Sequence, residues 1–220
     1  MFTSIKNFIK FLKHKIIIRI IQNFKTFTIF ALSKETKLVN IDIGSGSTIS
    51  FFDNYICTDK YNFNLLNFNH MYSFLKKRKI KNIFAEHVFE HLDQDEMIIA
   101  LKNLEKFMEI GSRIRIAVPD GYNPSKEYIR NVQICGVGPG ADNHKQLLNH
   151  EKVRSIFEEN LTNYKLQFIE YFDKKGNFNS HTYINIGKEI QRSSKSKVFN
   201  KSFYLSHLSL IFDVVKIKSI

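Results

Sequence analysis

The sequence predicts an α/β fold with a doubly wound, mostly parallel sheet, and three observations predict it. Short runs rich in β-branched residues alternate with stretches of helical periodicity, which is the order of elements in a parallel sheet with crossover helices. Several of the runs end in glycines or in a carboxylate, as strands do where their carboxyl ends face a ligand. The chain has 220 residues, enough for one decorated domain of this kind and too few for two.

The first strand is read at Leu38 to Ile43, where Val39, Ile41 and Ile43 alternate with polar residues before breaking into Gly44-Ser45-Gly46. Without β-carbons this turn lets a ligand lie against the backbone and meet exposed N–H groups. Tyr55-Ile56-Cys57 forms a second run, and Asp59 stands at its end, where an ionised carboxylate accepts from both hydroxyls of a ribose. The interval from Gly44 to Asp59 is shorter than the roughly 20 residues of dinucleotide folds, so the helix between them is expected to be short or absent.

After an asparagine-rich stretch from Asn62 to Asn69, a helix is expected over His70 to Lys79 and a third strand over Lys81 to Ala85. That strand runs into Glu86-His87-Val88-Phe89-Glu90-His91-Leu92, the densest group of ionisable side chains in the chain. A helix over Asp95 to Met108, ended by Gly111, leads to a central strand at Arg113 to Val118 that Pro119-Asp120-Gly121 stops. Residues 135–144 read CGVGPGADNH; no strand precedes these glycines and no Lys-Ser/Thr pair closes them, so a mobile lid or linker is expected rather than a phosphate cradle. A helix capped by Asn149 follows over Asn149 to Glu159, then a strand over Leu166 to Phe172. The last strand, 208–215, comes after a basic, serine-rich excursion with no helix directly before it, so it can pair antiparallel.

The formal net charge is +12, and residues 1–37 supply +7 of it, from seven lysines and Arg19 against Glu35 alone. Phe2, Ile5, Phe8, Ile9, Leu12, Ile16 and Ile20 interleave with those cations at near-helical spacing, describing a basic amphipathic helix. Such a helix packs on the sheet with its lysines in water, covers a pocket, or lies on an anionic membrane surface. Arg19 and Lys25 interrupt the best apolar run, which falls short of the roughly 18 residues of a spanning helix. The N-terminus has no small-residue cleavage site, and Cys57 and Cys135 have no disulfide or metal-knuckle spacing, so a cytoplasmic protein is expected; packing on the sheet is the favoured use of the helix, and peripheral contact of residues 1–30 with the inner membrane is the alternative. Nucleic acid is set aside for want of any binding module.

His87-Val88-Phe89-Glu90-His91 also matches H-x-x-E-H, in which two imidazoles on one helix face chelate zinc. That motif needs a long helix and a third ligand downstream, whereas here it follows a strand directly. The expectation is therefore no metal, with His91 and Glu90 capping and orienting the next helix while His87 faces the cleft. A zinc hydrolase is the remote alternative.

Five stretches in order resemble the class I S-adenosylmethionine-dependent methyltransferases, in particular the bacterial, type 11-like group with EHxxEHL and VPD motifs: VNIDIGSG at 39–46, CTD at 57–59, IFAEHVFEHL at 83–92, IGSRIRIAVPD at 110–120 and NHKQLLNHEKVRSIFEE at 143–159. The resemblance covers about residues 38–216 and implies a Rossmann-like, seven-stranded, mostly parallel sheet with an antiparallel last strand. It divides the chain into the basic segment 1–37 and a methyltransferase domain at 38–220. It implies S-adenosyl-L-methionine as cofactor, held by Asp42, Gly44, Ser45, Gly46, Asp59 and Glu86. His87 would line the space near the sulfonium. Phe51-Phe52-Asp53-Asn54 replaces the group's usual Gly-Trp pair, Met108 to Ser112 replaces its Pro-Gly-Gly turn, and no adenine-binding acid is identifiable in Asn62 to Asn69. Methyl transfer to an oxygen or nitrogen of a small molecule is the expected reaction, with His87, Asp120 and His144 as candidate general bases. The resemblance leans toward sugar or surface-glycan precursors as acceptors. A protein that binds the cofactor without turnover, or a scaffold for glycan enzymes, is the alternative.

Overall fold

The computed structural model describes residues 16, 17, 20, 21, 23, 24, 26–29, 37–45, 54–196 and 207–218. Gly46, assigned to the cofactor from the sequence, and most of the basic segment lie outside the described residues.

Among the described residues seven strands form one sheet: β1 (Leu38–Ile43), β2 (Tyr55–Thr58), β3 (Lys79–Glu86), β4 (Met108–Pro119), β5 (Tyr164–Phe172), β6 (Phe178–Ser180) and β7 (Ser209–Lys216), in the order β2-β1-β3-β4-β7-β5-β6. The first four are parallel to one another. β7 is antiparallel to both of its neighbours, β4 and β5, so β5 runs with the first four and only β6 and β7 oppose them. The fold is thus a Rossmann-like, mostly parallel α/β sheet whose last strand is antiparallel. β6, three residues at the edge, carries no sequence signal of its own.

Strand alternation divides the side chains between two faces. Ile83 and Ala85 of β3 and Ile114, Ile116 and Val118 of β4 point into the main core, where they meet helices α1 (Phe68–Leu75), α2 (Gln94–Glu105) and α4 (His150–Asn160) through Met71, Leu101 and Ile156. Phe84 and Ala117 point the other way, into a smaller cluster with Tyr55, Ile186 and Ile190. On that face, among the described residues, the cover is an irregular segment around 183–193 rather than a helix.

The helices begin where side chains satisfy their free N–H groups. Asn67 accepts from His70 N and Asn149 from Lys152 N. At α2 the cap is Asp93, in a reciprocal capping box with Glu96. This corrects the expectation that Glu90 and His91 cap that helix: they belong to a separate 3-10 turn, Phe89–His91. Gly111 does not end α2 either. It sits within β4 at φ +85°, in a bulge where the pairing with β3 slips between Ile80 and Asn82. α3 (Lys126–Val132), capped by Ser125, escapes the sequence reading because its seven residues complete barely two turns.

The antiparallel joint carries a buried charge network. Asp213, 1 % exposed, accepts from Arg115 Nε and Nη2, both at 2.9 Å, and from Arg113 Nη1 at 2.6 Å. Removing the carboxylate would leave two guanidinium groups uncompensated in the interior. Asp213→Ala is therefore expected to lower stability by about 3–5 kcal/mol, read as a fall in the urea midpoint at unchanged slope.

Candidate functional site

β2 lies on one side of β1 and β3 on the other, so the chain reverses its direction of growth across the sheet at β1. Crossovers leaving such a point pack on opposite faces and open a crevice at the carboxyl ends of the strands. The crevice here has a volume of about 210 Å³ and is lined by Asp42, Gly44 and Ser45 from the end of β1 and by Phe84, Glu86 and His87 from the end of β3.

The glycine turn is locked into this edge. Gly44 has φ +69°, and a β-carbon there would lie 2.5 Å from Val88 Cγ2, so both backbone and packing require glycine. Ser45 N donates to Thr58 O at 3.1 Å, and Thr58 Oγ1 donates to Asp42 O at 3.0 Å, tying the ends of β1 and β2 together. Asp59 follows directly and thus stands on the same edge as Gly44. Its Oδ1 accepts from Tyr61 N at 2.7 Å, and its Oδ2 has no partner among the described residues.

Segment 186–192 reaches over this edge. Lys188 forms an ion pair with Asp42, and its ammonium lies 5.0 Å from the ring centre of Phe84. The backbone N–H groups of Gln191 and Arg192 donate to the Glu86 carboxylate, each at 3.2 Å. Tyr55 Oη donates to Ile186 O at 2.7 Å. Sequence reasoning missed all three contacts, since the partners are more than a hundred residues apart and the basic run alone signals only solvated charge.

A second cavity, about 460 Å³, adjoins the first and is lined by His87, Glu90, His91, Tyr128, His144 and Arg192, with the glycine loop forming one wall. His87 and Arg192 border both cavities. His87 adopts φ +56°, a left-handed conformation that an L side chain holds only when its surroundings enforce it. Its N–H donates to Ala117 O at 2.9 Å and its Nδ1 lies 2.8 Å from Glu90 Oε1. The glycine loop differs from the mobile lid or linker expected. Gly138 N donates to Asn131 O and Val137 N to Arg130 O, while β-carbons at Gly136 and Gly138 would press on Asn131 O at 2.5 and 2.8 Å. Ala141 and His144 at the end of the loop are buried.

Of the three candidate bases, the structure brings His87 and His144 into the second cavity and places Asp120 in the interior. Asp120 is 0 % exposed, with Oδ1 accepting from Tyr122 N at 2.9 Å and Oδ2 from Phe172 N at 2.7 Å, which joins the ends of β4 and β5. Burial pushes its carboxyl up to about 6, against the two N–H groups that favour its charged form.

No protein-family model matches the chain, and no curated protein matches it. Among solved structures, it is similar in shape to an S-adenosylmethionine-dependent methyltransferase from Archaeoglobus fulgidus at 16 % identity, over 90 % of this chain and 94 % of that one, with a TM-score of 0.41. A DUF574 family protein from Streptomyces avermitilis is similar at 10 % identity, over 89 % and 82 % of the two chains, with a TM-score of 0.48. Magnesium protoporphyrin IX methyltransferase from Synechocystis with bound SAH is similar at 11 % identity, over 89 % and 83 %, with a TM-score of 0.41. The chemistry of the site rests on this chain's own geometry.

Two outcomes are expected. Gly44→Ala should destabilise the protein by about 1–3 kcal/mol in urea denaturation, and adding Val88→Ala should restore only the part due to the clash, leaving the backbone strain. Because folding raises the Asp120 pKa, its favourable contribution is complete below about pH 4 and disappears as pH climbs through about 6. Measured against Asp120→Asn, wild-type stability should therefore fall by on the order of 3 kcal/mol between about pH 4 and pH 7.

Proposed function

We propose that this chain is an S-adenosylmethionine-dependent methyltransferase acting on an oxygen or nitrogen nucleophile of a small molecule. The observation that carries the reading is the pair of adjoining cavities with His87 between them: one at the switch point of the sheet, suited to a nucleoside, the other suited to an acceptor.

The residues present fit the cofactor. The Gly44 turn offers a side-chain-free approach, and Asp42 and Glu86 supply negative charge beside a cationic ligand, while Asp59, on the same edge though outside the crevice lining, keeps Oδ2 for a ribose hydroxyl. Asp42 is held by Lys188 and Glu86 by the amides of residues 191 and 192, so segment 186–192 must yield part of its grip as the crevice fills. When bound, the cofactor supplies a methyl group on a cationic sulfur, already activated for in-line displacement. The protein's tasks are alignment, exclusion of water and removal of a proton.

His87 is the base in this reading. Its Nδ1 carries the proton shared with Glu90 Oε1, which leaves Nε2 with a lone pair; that atom is buried and has no hydrogen-bond partner among the described residues. Nε2 would take the proton that the acceptor gives up as it is methylated. Arg192 and Tyr128 support a polar acceptor such as a sugar or surface-glycan precursor, with Arg192 placed to pair with a phosphate.

The reading extends to a cytoplasmic protein that touches an anionic membrane. Its support is the N-terminal segment, where Ile16, Ile20, Phe24 and Phe27 are helical and exposed and the flanking charge is basic. No helix among the described residues is long and apolar enough to cross a membrane.

Calorimetry with S-adenosylhomocysteine should show Asp59→Ala weakened about tenfold or more, and undiminished affinity would remove Asp59 from the site. His87→Asn, which tolerates the left-handed backbone, should keep that affinity while kcat falls by about a hundredfold or more and the rise of rate with pH disappears. No S-adenosylhomocysteine formed with any nucleotide sugar, despite tight binding, would favour a protein that binds without turnover.

A further inference from the structure

We propose that Glu90, His91 and His144 form a binding site for one divalent first-row transition-metal ion in the wall of the second cavity. One ligand atom from each of the three lies within 4.8 Å of the others. Two segments bring them together: the 3-10 turn after β3 supplies Glu90 and His91, and the end of the glycine loop supplies His144. The backbone seals that junction, because Lys145 N donates to Glu90 O at 2.8 Å.

The pairing differs from the H-x-x-E-H reading of the sequence. His91 meets His144, with ring centres 4.9 Å apart, while His87 turns to Glu90. The third ligand that the sequence motif lacked lies 53 residues beyond His91, in a loop whose composition pointed elsewhere.

Two features set this trio apart from a chance cluster. Glu90 is 1 % exposed; His87 engages its Oε1, but its Oε2 is buried with no hydrogen-bond partner among the described residues. A carboxylate oxygen withdrawn from water in this way calls for a cation or a donor. The two imidazoles are also oriented as ligands are. His144 Nδ1 lies 2.7 Å from Val132 O and His91 Nδ1 lies 3.3 Å from Asn143 O. A carbonyl oxygen only accepts, so each Nδ1 carries the proton and each Nε2 presents a lone pair, the arrangement in which outer hydrogen bonds hold ligating histidines.

Two neutral imidazoles and one carboxylate suit borderline ions such as Zn²⁺ or Co²⁺ best, the harder Mn²⁺ less well, and Mg²⁺ or Ca²⁺ least, and three protein ligands leave positions open toward the cavity. The site stands on this geometry alone; its role rests on the methyltransferase reading. There, the ion would make an acceptor oxygen that it binds more acidic, and His87 would keep its role as the group that takes the proton.

The test uses the full chain, stripped with chelator and titrated with Zn²⁺, Co²⁺ and Mn²⁺ by calorimetry, with metal content read by mass spectrometry. One ion per chain is expected, with affinity reduced about tenfold or more in His91→Ala and in His144→Ala and unchanged in His70→Ala, which lies outside the site. Absence of one-to-one binding for all three ions, or undiminished binding in the His91→Ala/His144→Ala double variant, overturns the proposal. Should the alanine variants fail to fold, the Co²⁺ absorption of the wild-type chain decides: ligand-field bands of nitrogen coordination support the site, and the spectrum of the aqueous ion overturns it. S-adenosylhomocysteine binding is measured in parallel without metal. Its loss alone sinks the methyltransferase reading and spares the metal site, and its presence with no metal binding does the reverse.

Discussion

A parallel sheet that grows outward in both directions from one strand cannot be covered continuously at that strand's carboxyl end, and this constraint shapes the molecule. β1 is that strand. The crossover chains that leave it part at its end, and what they leave open must be bounded by backbone turns rather than by core side chains. Gly44 without a side chain, His87 in a left-handed conformation and the Ser45–Thr58 hydrogen bond are three ways of holding a sharp edge against a tightly packed interior. Val88, which leaves no room for a β-carbon at Gly44, ties the first of these to the second: the turn after β1 and the turn after β3 fit only together.

The electrostatics follow the same division. Charges away from the edge are matched inside the protein, as Asp213 is by Arg113 and Arg115 and as Glu170 is by the Ser193 and Ser194 hydroxyls. Charges at the edge are matched provisionally or in part: Asp42 by a lysine from an irregular segment, Glu86 by two backbone amides, Asp59 and Glu90 through one oxygen each. Acceptor capacity is therefore left over at the carboxyl edge, with Asp42 and Glu86 in the first cavity and Glu90 in the second.

Much of the frame was legible because it rests on short-range patterning. The alternation in Val39, Ile41 and Ile43 and the buried run Ile114 to Val118 marked strands, and the glycine and carboxylates at their ends marked the edge. What escaped was set by contacts distant in sequence. Nothing local in Lys188 says that it will meet Asp42, and nothing in a Gly-Pro-rich loop says that its glycines are there to pack against Asn131 rather than to move. The histidines show the same limit: the H-x-x-E-H spacing was set aside because it follows a strand directly, but nothing local says that the loop brings His144 to His91. Asp120 shows the opposite failure. A carboxylate at a strand's end looked available, and the turn after β4 together with the last residue of β5 leaves it sealed under two amides.

Arg192 has a structural consequence for both cavities. Its side chain borders both cavities, its N–H holds Glu86, and its carbonyl accepts from Ser209 N at the start of β7. The two compartments therefore share a wall residue whose backbone is tied both to the end of β3 and to the start of β7. A substitution at Arg192 therefore alters a wall of both compartments at once, so neither cavity can be reshaped there without the other.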